Sequence, residues 1–547
     1  MSCGYPQPDR NADHFTRPSV LVESKVVKVT LQEPNIAVDS EGNKGTWTMI
    51  YDEGFEVQVG GRVYFAYSRY TPNAGTPLSS DKVAGYTSHC DETMVGWVHG
   101  ANNENWGCFR GKQTKAANAW TKPVSRVKDD GLDLAPVVSP TALLEEFTRV
   151  LRRDEEPATA AEESADEESV LLEEGAEVDV SSTAAVFELP ELDDSVLFEP
   201  DHVFIERHNR NKRSLWKAKS HAQFEKKPVK DMLRMLGLRR YSKDYTGPDS
   251  AQLRQPIKDN RPDSEKYAGL PEHWDWSNRN GVSYDTEIRN QGSCGSCYAM
   301  ASISALEARY RVASHLAFRP ILSPQEVVSC SFYNQGCEGG YPFLVAKHGS
   351  EFGMVDAECN PYTARNSACK TTCSSERLRM HNYSYVGGYM GGCSETAMMH
   401  EIYRNGPVMV AFQAPPDLFY YTGGIYTGPS PKEEKQGVNG VNVWQQTNHA
   451  VVAVGWGVDA ATGTKYWIVK NTWGLKWGEN GYFRIRRGTN ECAIESMATK
   501  ADVILPASVS IPEDAPNPWA PEKPRHTQMR HKQLRRRRQT KRQRRGL

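Results

Sequence analysis

The chain has 547 residues, a formal net charge of −2 at pH 7 and 38% hydrophobic residues. A chain of this length exceeds a single hydrophobic core, so we expect it to divide into two or three domains. The hydrophobic content excludes a wholly disordered chain, and the near-zero charge excludes a protein that is basic throughout. No apolar run reaches the roughly 18 to 20 residues of a membrane helix, so we expect no membrane span.

The first part of the chain alternates short apolar runs with turns. The runs KVVKVTL, GTWTMIY and FEVQVGGRVYFAY lie between Val20 and Arg110. Gly60 and Gly61 stand where a two-residue hairpin turn would, and such a turn needs the left-handed backbone that glycine adopts readily. This pattern predicts an antiparallel β module.

The next two segments differ in charge. Residues 154–199 contain no lysine or arginine and are rich in Glu, Asp, Ala and Ser, so we expect an acidic segment that stays disordered. The segment from Asp201 to Arg240 is basic but carries spaced large apolar side chains, namely Trp216, Phe224, Met232 and Leu236. That mixture predicts a helix lying on another surface of the protein.

The chain ends in a Pro-rich spacer and a basic tail. About eleven Lys or Arg residues and no aromatic residue lie between Arg525 and Leu547. Such a tail offers charge to phosphate groups but no ring on which bases stack, so we do not expect nucleic-acid binding as the main function. We expect a disordered or proteolytically removed tail, with binding of a polyanion as the alternative.

Cys294 and Cys297 lie in NQGSCGSCY with a spacing that fits a redox dithiol, a metal-ligand pair or a nucleophile. A dithiol would need a βαβ context, and zinc would need a second cysteine pair of matching spacing. Neither is evident, so we expect no metal or organic cofactor. The nucleophile is favoured because the run after Cys297 has apolar residues at helical spacing, and the N–H groups of a helix start stabilise a thiolate.

A cysteine nucleophile needs a base. Of the 14 histidines, His449 stands in TNHAVVAVGWG, just before an apolar run that predicts a buried strand. Asn471 follows in KNTWGLKWGENGYF. An imidazole beside the thiol would lower the pKa of the thiol and form a thiolate–imidazolium pair.

Cysteine usage bears on the compartment. Nine of the twelve cysteines lie between Cys294 and Cys492, a density typical of an oxidising environment. The opening MSCGYPQPDR is not a signal peptide, so we expect an incomplete N-terminus. A leaderless cytosolic protein with reduced thiols is the alternative.

The motifs together resemble a known family. Residues 270–500 are similar to papain-like cysteine proteases in NQGSCGSCY, LSPQEVVSC, GCEGGYP, TNHAVVAVGWG and KNTWGLKWGENGYF. The β module resembles the exclusion domain of the cathepsin C (dipeptidyl peptidase I) branch in MIYDEGFEV and CDETMVGWVHGANNENWGCFRGK. The resemblance implies an α+β fold, in which an antiparallel β-barrel exclusion domain precedes a papain-like catalytic domain with a helical and a β-barrel-like subdomain.

The resemblance and the composition divide the chain into five parts. We expect an exclusion domain that lacks its N-terminal strand, an acidic disordered insertion, an activation peptide, a papain-like catalytic domain and a disordered Pro-rich and basic tail. Their expected ranges are 1–125, 126–200, 201–269, 270–505 and 506–547.

The resemblance also implies the roles of the catalytic residues. Cys297 matches the nucleophile and His449 the base. Asn471 matches the residue that holds the imidazole in the productive tautomer, and Trp473 would shield that hydrogen bond from water. Gln291 matches the side-chain donor of the oxyanion hole.

Further residues follow from the same resemblance. The substrate-binding wall is expected at Gly339, Gly340, Tyr341, Pro342 and Ile494. A chloride ion is expected near Tyr341, Phe343 and Tyr385, although Phe343 stands where the family has a tyrosine. The implied disulfides are Cys294–Cys337, Cys330–Cys369 and Cys359–Cys373, and the pairing of Cys3, Cys90 and Cys108 stays open.

The resemblance implies a lysosomal-type cysteine exopeptidase that removes dipeptides from free N-termini of peptides and proteins. A homotetramer and a lysosome-like, secretory or extracellular location are expected with it. One alternative is an endopeptidase, because no counterpart of the first exclusion-domain strand is evident before Val20. The other is a catalytically silent protein that binds polyanions through its tail.

Overall fold

A computed structural model describes residues 25–32, 34–50, 54–72, 86–114, 197–236, 262–370, 376–428 and 447–521. Two largely antiparallel sheets and a set of helices make up these residues, which confirms the α+β class. Across the same residues, no helix has both the length and the apolar character needed to cross a membrane.

The N-terminal β module is one eight-stranded antiparallel sheet in the order β1-β2-β3-β4-β5-β7-β8, with β6 paired to β5. Gly60 and Gly61 join β4 to β5 with φ values of 59° and 70°, which confirms the predicted hairpin turn. The strands are β1 Val29–Gln32, β2 Ile36–Asp39, β3 Lys44–Ile50, β4 Gly54–Val59, β5 Arg62–Pro72, β6 Tyr86–Thr93, β7 Gly96–Gly100 and β8 Gly107–Phe109.

The basic segment is not one helix, and the expectation of a single helix is wrong. It consists of α1 (His202–Arg210), β9 (Trp216–Ala218) and α2 (Val229–Arg234). The large apolar side chains that the sequence singled out are nonetheless buried against the rest of the protein, namely Trp216, Phe224, Met232 and Leu236. These side chains contact the catalytic domain from a helix, a strand and the loops between them, so their spacing does not require one continuous helix.

This segment begins earlier than 201. Phe198 is buried, its N–H donates to the carbonyl of Lys227, and its own carbonyl accepts from Lys226. Residues 197–200 therefore belong to the basic segment, and we call residues 197–236 the activation segment. The rest of the acidic insertion, 126–196, lies outside the described residues.

The C-terminal block contains the second sheet and most of the helices. Its elements are α3 Asp263–Lys266, β10 Trp274–Asp275, α4 Cys297–Ala313, α5 Pro324–Cys330, α6 Pro342–Phe352, β11 Met380–Tyr385, α7 Glu395–Asn405, β12 Val408–Phe412, β13 Tyr421–Tyr426, β14 His449–Val458, β15 Lys465–Lys470, β16 Tyr482–Arg486 and β17 Met497–Val503.

The sheet of this block has the order β11-β17-β12-β14-β15-β16-β13-β9, with β10 paired to β14. The central strand β14 is buried over nearly its whole length, as its continuous apolar sequence predicts. Helix α4 packs against β14. The edge strand β9 comes from the activation segment and pairs antiparallel with β13.

The start of the C-terminal extension is ordered, so the expected disorder from residue 506 is wrong for residues 506–521. The Trp519 indole N–H donates to the carbonyl of Tyr403 at 2.8 Å, and the buried Arg279 donates to the carbonyls of Pro518 and Ala520. One aromatic anchor and backbone hydrogen bonds hold this segment despite its proline content. The basic tail from residue 522 lies outside the described residues.

Candidate active site

Cys297 is the first residue of α4, as the helical spacing predicted. Its side chain is fully buried and is not part of a disulfide. The preceding loop is held close by the Cys294–Cys337 disulfide and by a hydrogen bond from the Gly295 N–H to the Cys337 carbonyl at 2.8 Å. The sulfur therefore lies at the positive end of a 17-residue helix dipole, where a thiolate is stabilised.

His449 is the first residue of β14, the strand against which α4 packs. Its Nε2 forms a 2.8 Å hydrogen bond with Oδ1 of Asn471, which makes Nε2 the donor. Nδ1 has no hydrogen-bond partner within the described part of the chain. The imidazole therefore has one oriented nitrogen and one nitrogen available for proton exchange.

Aromatic rings enclose the imidazole. The ring of Trp473 stacks on His449 with centroids 4.9 Å apart, and Phe419 stacks on Trp473 at 4.6 Å. Burial lowers the pKa of His449 to about 4, although the hydrogen bond that His449 donates to Asn471 opposes that shift. Burial in this closed state therefore favours the neutral imidazole over the imidazolium form.

Gln291 connects this pair to the loop before the thiol. Its Nε2 donates to the carbonyl of Cys294 and to that of Met235, both at 2.9 Å. Its Oε1 accepts from the hydroxyl of Thr472, whose own N–H donates to Oδ1 of Asn471 at 2.8 Å. A continuous hydrogen-bonded chain thus runs from His449 to the predicted oxyanion donor.

The activation segment covers this site. The Gln291 amide is the group expected to donate to a substrate oxyanion, and here it donates to the Met235 carbonyl instead. Phe224 packs edge-on against Trp473 with centroids 6.0 Å apart, and Gln223 donates to the Trp473 carbonyl at 3.0 Å. The described state is therefore a closed one.

The predicted substrate wall lies beside the thiol loop. Gly339 has a φ of 130°, and a Cβ on Gly340 would come within 2.4 Å of Oδ1 of Asn334, so both positions require glycine. Tyr341 caps α6 and Pro342 is its first residue. Ile494 is fully buried within the hydrophobic core, so its predicted substrate contact stays a prediction.

The three residues predicted near chloride are buried together. Phe343 stacks on Tyr385 with centroids 4.9 Å apart and meets Tyr383 edge-on at 5.4 Å. Tyr341 and Tyr385 carry hydroxyl groups, whereas Phe343 has no hydrogen-bond donor in its side chain. Only two of the three predicted positions suit an anion.

The comparisons with known proteins agree with this geometry. The family model "Papain family cysteine protease" matches residues 270–501, and "Cathepsin C exclusion domain" matches residues 2–113. Cathepsin C of Schistosoma mansoni is 31% identical over 496 residues, which cover 89% of this chain and 90% of the relative.

The chain belongs to the cathepsin C branch of the papain family.

Two other proteins are also similar to this papain-family chain. Dipeptidyl aminopeptidase 1 of Plasmodium falciparum is 27% identical over 597 residues, covering 85% of this chain and 80% of that relative. The solved structure of proCathepsin B S9 from Trypanosoma congolense covers 56% of this chain and 99% of its own, with 26% identity and a TM-score of 0.44.

The disulfides implied by the cathepsin C resemblance are largely present. Cys294–Cys337 and Cys330–Cys369 are bridged with Cα atoms 4.7 Å apart. Cys359 is also disulfide-bonded, but its predicted partner Cys373 lies outside the described residues. Cys108 is disulfide-bonded as well, while Cys3 and the side chain of Cys90 lie outside the described part of the chain.

Two neighbours of the papain-type site were missed from the sequence. Thr472 links Asn471 to Gln291, and the Tyr362 hydroxyl donates to the Gln291 carbonyl at 2.8 Å while also contacting Ser296. Burial raises the pKa of Tyr362 to about 12, so it stays a donor. Thr472 could have been found from its place beside Asn471, whereas no local signal marks Tyr362.

Proposed function

We propose that this protein is a cysteine exopeptidase that removes dipeptides from the free N-termini of peptides and proteins. The observation that carries the proposal is the presence, in one chain, of a papain-type catalytic domain and a cathepsin C exclusion domain docked against it. Neither the endopeptidase nor the silent binding protein accounts for both parts.

The proposed chemistry gives one role to each of the predicted catalytic side chains. Cys297 attacks the carbonyl carbon of the peptide bond as a thiolate, and His449 then gives its proton to the leaving amine. The amide of Gln291 donates to the oxyanion of the tetrahedral intermediate. Water attacks the resulting thioester with His449 as the base, which releases the dipeptide and restores the thiol.

The exclusion domain supplies the limit on substrate length. Helix α6 begins with the predicted substrate wall at Tyr341 and Pro342, and its side chains Lys347 and Glu351 contact the exclusion domain. A domain fixed to the helix that starts at the wall would close the cleft beyond the first residues of the substrate. Only a peptide whose free N-terminus lies before the point where the exclusion domain closes the cleft would fit.

The activation segment must leave before the site can turn over. Its Met235 carbonyl accepts a hydrogen bond from the Gln291 amide, and its strand β9 pairs with β13 at the edge of the catalytic sheet. Cleavage between the activation segment and the catalytic domain, near Leu270 and Pro271, would allow it to dissociate. The same step would relieve the burial that keeps His449 neutral.

Location, assembly and chloride belong to the same proposal. The disulfides Cys294–Cys337 and Cys330–Cys369 favour an oxidising compartment of the lysosomal or secretory route.

We propose a homotetramer by analogy with the family, which light scattering on the processed protein would test. A chloride site would rest on Tyr341 and Tyr385, and loss of activity in chloride-free buffer with recovery on adding chloride would support it.

Substrates with and without a free amine test the central proposal. The processed protein should cleave a fluorogenic dipeptide with a free N-terminus at least about 100-fold faster than its N-acetylated form, a difference of about 2.7 kcal/mol. Cys297→Ala should abolish both reactions. Equal rates on the two substrates would establish an endopeptidase instead.

A further inference from the structure

A loop that follows α5 in the sequence lies against the segment that carries Gln291 and the thiol. We call residues 360–369 the bracing loop. At its start, the hydroxyl of Ser323, the N-cap residue of α5, donates to the Asn360 carbonyl at 2.5 Å. At its end, Cys369 is bridged to Cys330, the last residue of α5. The bracing loop is therefore fixed to one helix at both ends.

A buried glutamine of α5 fixes the middle of the bracing loop. Oε1 of Gln325 accepts hydrogen bonds from the N–H and from the hydroxyl of Thr363, at 2.9 and 3.1 Å. Its Nε2 donates to the Arg365 carbonyl at 2.9 Å. Both ends of the buried amide are thus used on the loop, as the burial of a polar group requires. Tyr362 stands between these anchors, so its backbone is held in place.

The Tyr362 hydroxyl joins two parts of the candidate active site. It donates to the backbone carbonyl of Gln291 at 2.8 Å, and it lies 2.5 Å from the hydroxyl of Ser296. A tyrosine hydroxyl has one hydrogen, and the Gln291 carbonyl takes it, so Ser296 donates to the tyrosine oxygen. Burial raises the pKa of Tyr362 to about 12, so the hydroxyl keeps its hydrogen at acidic and neutral pH.

The use of Ser296 is unusual for its position. Ser296 is the N-cap residue of α4, where a serine side chain commonly accepts a hydrogen bond from an N–H of the first turn. This side chain makes no capping hydrogen bond and contacts Tyr362 instead. It is also fully buried. The residue before Cys297 therefore serves the bracing loop rather than the end of its own helix.

Two further contacts bring the bracing loop to the same segment. Oδ1 of Asn366 accepts from the N–H of Cys337 at 2.7 Å, and the disulfide of Cys337 holds the thiol loop. A Cβ added to Gly292 would lie 3.4 Å from the Cβ of Ala364, so the two loops are in van der Waals contact directly after Gln291. The position of Tyr362 relative to the thiol segment is thus fixed from both sides.

An oxyanion hole works only if its donors reach one oxygen together. The expected donors are the side-chain amide of Gln291 and the backbone N–H of Cys297 at the start of α4. A displacement of about 1 Å in such a site can cost about 100-fold in rate. Gln291 lies in a loop, so something must hold it relative to the helix.

We propose that Tyr362 is a positioning residue that ties Gln291 to the start of α4 and so sets the spacing of the two oxyanion donors. The proposal rests on the proposed function for its chemistry and adds to it a residue outside the predicted catalytic set. Tyr362 bonds the Gln291 backbone, so it does not compete with substrate for the side-chain amide.

Tyr362→Phe tests the proposal by removing only the hydroxyl. In the processed protein kcat should fall by about 10-fold, less than for Gln291→Ala, because both donors remain but are less well placed. KM should change by less than about twofold, and alkylation of Cys297 by iodoacetamide, which forms no oxyanion, should keep the parent rate. The assay uses whichever of the free-amine and N-acetylated substrates the parent cleaves, so failure of the exopeptidase proposal does not remove the test.

A double variant separates positioning from a merely structural role. Gln291→Ala lacks the side-chain donor, so adding Tyr362→Phe to it should lower kcat by less than about twofold further. Tyr310→Phe is the matched control. It also removes a hydroxyl that donates to a backbone carbonyl at 2.8 Å, that of Arg379, and it lies on the same helix as Cys297. Its kcat should equal that of the parent.

A dipeptide aldehyde tests the hole without turnover. The Cys297 thiolate forms a bond to the aldehyde carbon, and the electron pair of the C=O π bond moves to the oxygen that the donors bind. The Kd, measured as protection of Cys297 from alkylation, should rise by about 10-fold in Tyr362→Phe. It should rise likewise in Ser296→Ala, which cuts the same link and serves if the first variant is unstable.

Three results would each overturn the proposal. They are an unchanged kcat and aldehyde Kd in Tyr362→Phe, an equal loss of kcat in Tyr310→Phe, and a full 10-fold loss when Tyr362→Phe is added to Gln291→Ala. The aldehyde measurement decides the matter even if the parent cleaves neither substrate, a result that would contradict the proposed function alone.

Discussion

The activation segment and the exclusion domain both cover the catalytic domain, but they are attached by different chemistry. The activation segment buries apolar side chains such as Phe224 and Met232, adds the edge strand β9 and places its Met235 carbonyl on Gln291. The exclusion domain adds aromatic contacts, such as Phe65 with Tyr333 at 5.1 Å, to a buried cluster of ionisable side chains. This charge cluster consists of Glu56, His99, Lys347 and Glu351.

The two kinds of attachment suit the different times for which the activation segment and the exclusion domain stay bound to the catalytic domain. Apolar burial and backbone pairing depend little on pH, and they end when proteolysis frees the segment. A cluster of buried, paired charges is costly to break, so it suits a domain that remains on the mature enzyme. Cleavage can thus release the activation segment, whereas buried charge pairs hold the exclusion domain in place.

Removing the central cation should have the largest effect on this comparison. Lys347→Met leaves Glu56 and Glu351 buried without their common partner, which should cost about 3–5 kcal/mol. Denaturant unfolding of the processed enzyme would measure the loss, and cleavage of N-acetylated substrate should rise as the exclusion domain undocks.

The control for this variant is Lys465→Met. Lys465 pairs with Glu395 but is 41% exposed, so its loss should cost less than about 1 kcal/mol. If the two variants lose the same stability, the charge cluster does not hold the domains together.

Gln291→Ala tests the chemical step in the processed enzyme. The loss of an oxyanion-hole donor should lower kcat by about 100-fold to 1000-fold. KM should change little, since the interaction forms only in the transition state. Alkylation of Cys297 by iodoacetamide creates no oxyanion, so it should keep the parent rate, and a parallel fall in alkylation would mean that the site had collapsed.

Phe224→Ala tests the apolar attachment of the activation segment in the unprocessed chain. The lost side chain packs against Trp473 and should weaken the closed state by about 3 kcal/mol, or about 100-fold. Because burial lowers the pKa of His449 to about 4, the closed chain holds the imidazole neutral and alkylation of Cys297 should be slow at pH 6.

Opening the segment should therefore accelerate alkylation at that pH. Val203→Ala changes a 63% exposed residue of the same segment and should leave the rate unchanged. Equal rates in Phe224→Ala and the parent would show that the segment does not control access to the thiol.

The sequence predicted where Cys297 and His449 lie in the fold because the signals for a helix start and for a buried strand are local. Helical spacing placed Cys297 at a helix start, and an apolar run placed His449 at a strand start. The charge cluster could not be predicted in this way, because Lys347 and Glu56 are 291 positions apart and His99 and Glu351 are 252 apart. Nothing in either local sequence marks those residues as buried.

Two of the corrections to the fold have a similar cause. Composition predicted disorder for residues 506–521, but a single tryptophan and a few backbone hydrogen bonds hold them to the catalytic domain. The basic activation segment was predicted as one helix because its apolar residues recur along the sequence. The segment folds instead as a helix, a strand and a second helix, and the same apolar residues are buried in that arrangement. Composition reports average tendencies, whereas individual anchors decide where such segments lie.

Trp519→Ala gives the smallest expected effect and separates a third attachment from the other two. The Trp519 ring is half-buried near Trp276 and His315, and its N–H donates to Tyr403. Losing part of a core-sized aromatic side chain should cost about 2 kcal/mol, which corresponds to a fall of about 4–8 °C in Tm for a domain of this size.

Because this anchor lies apart from both the thiol loop and the charge cluster, we expect neither latency nor substrate specificity to change in Trp519→Ala. Ile511→Ala, at a 41% exposed position of the same extension, should leave Tm within about 1–2 °C of the parent value. A faster alkylation of Cys297 in unprocessed Trp519→Ala would contradict this separation, since it would make the C-terminal extension part of the closed state.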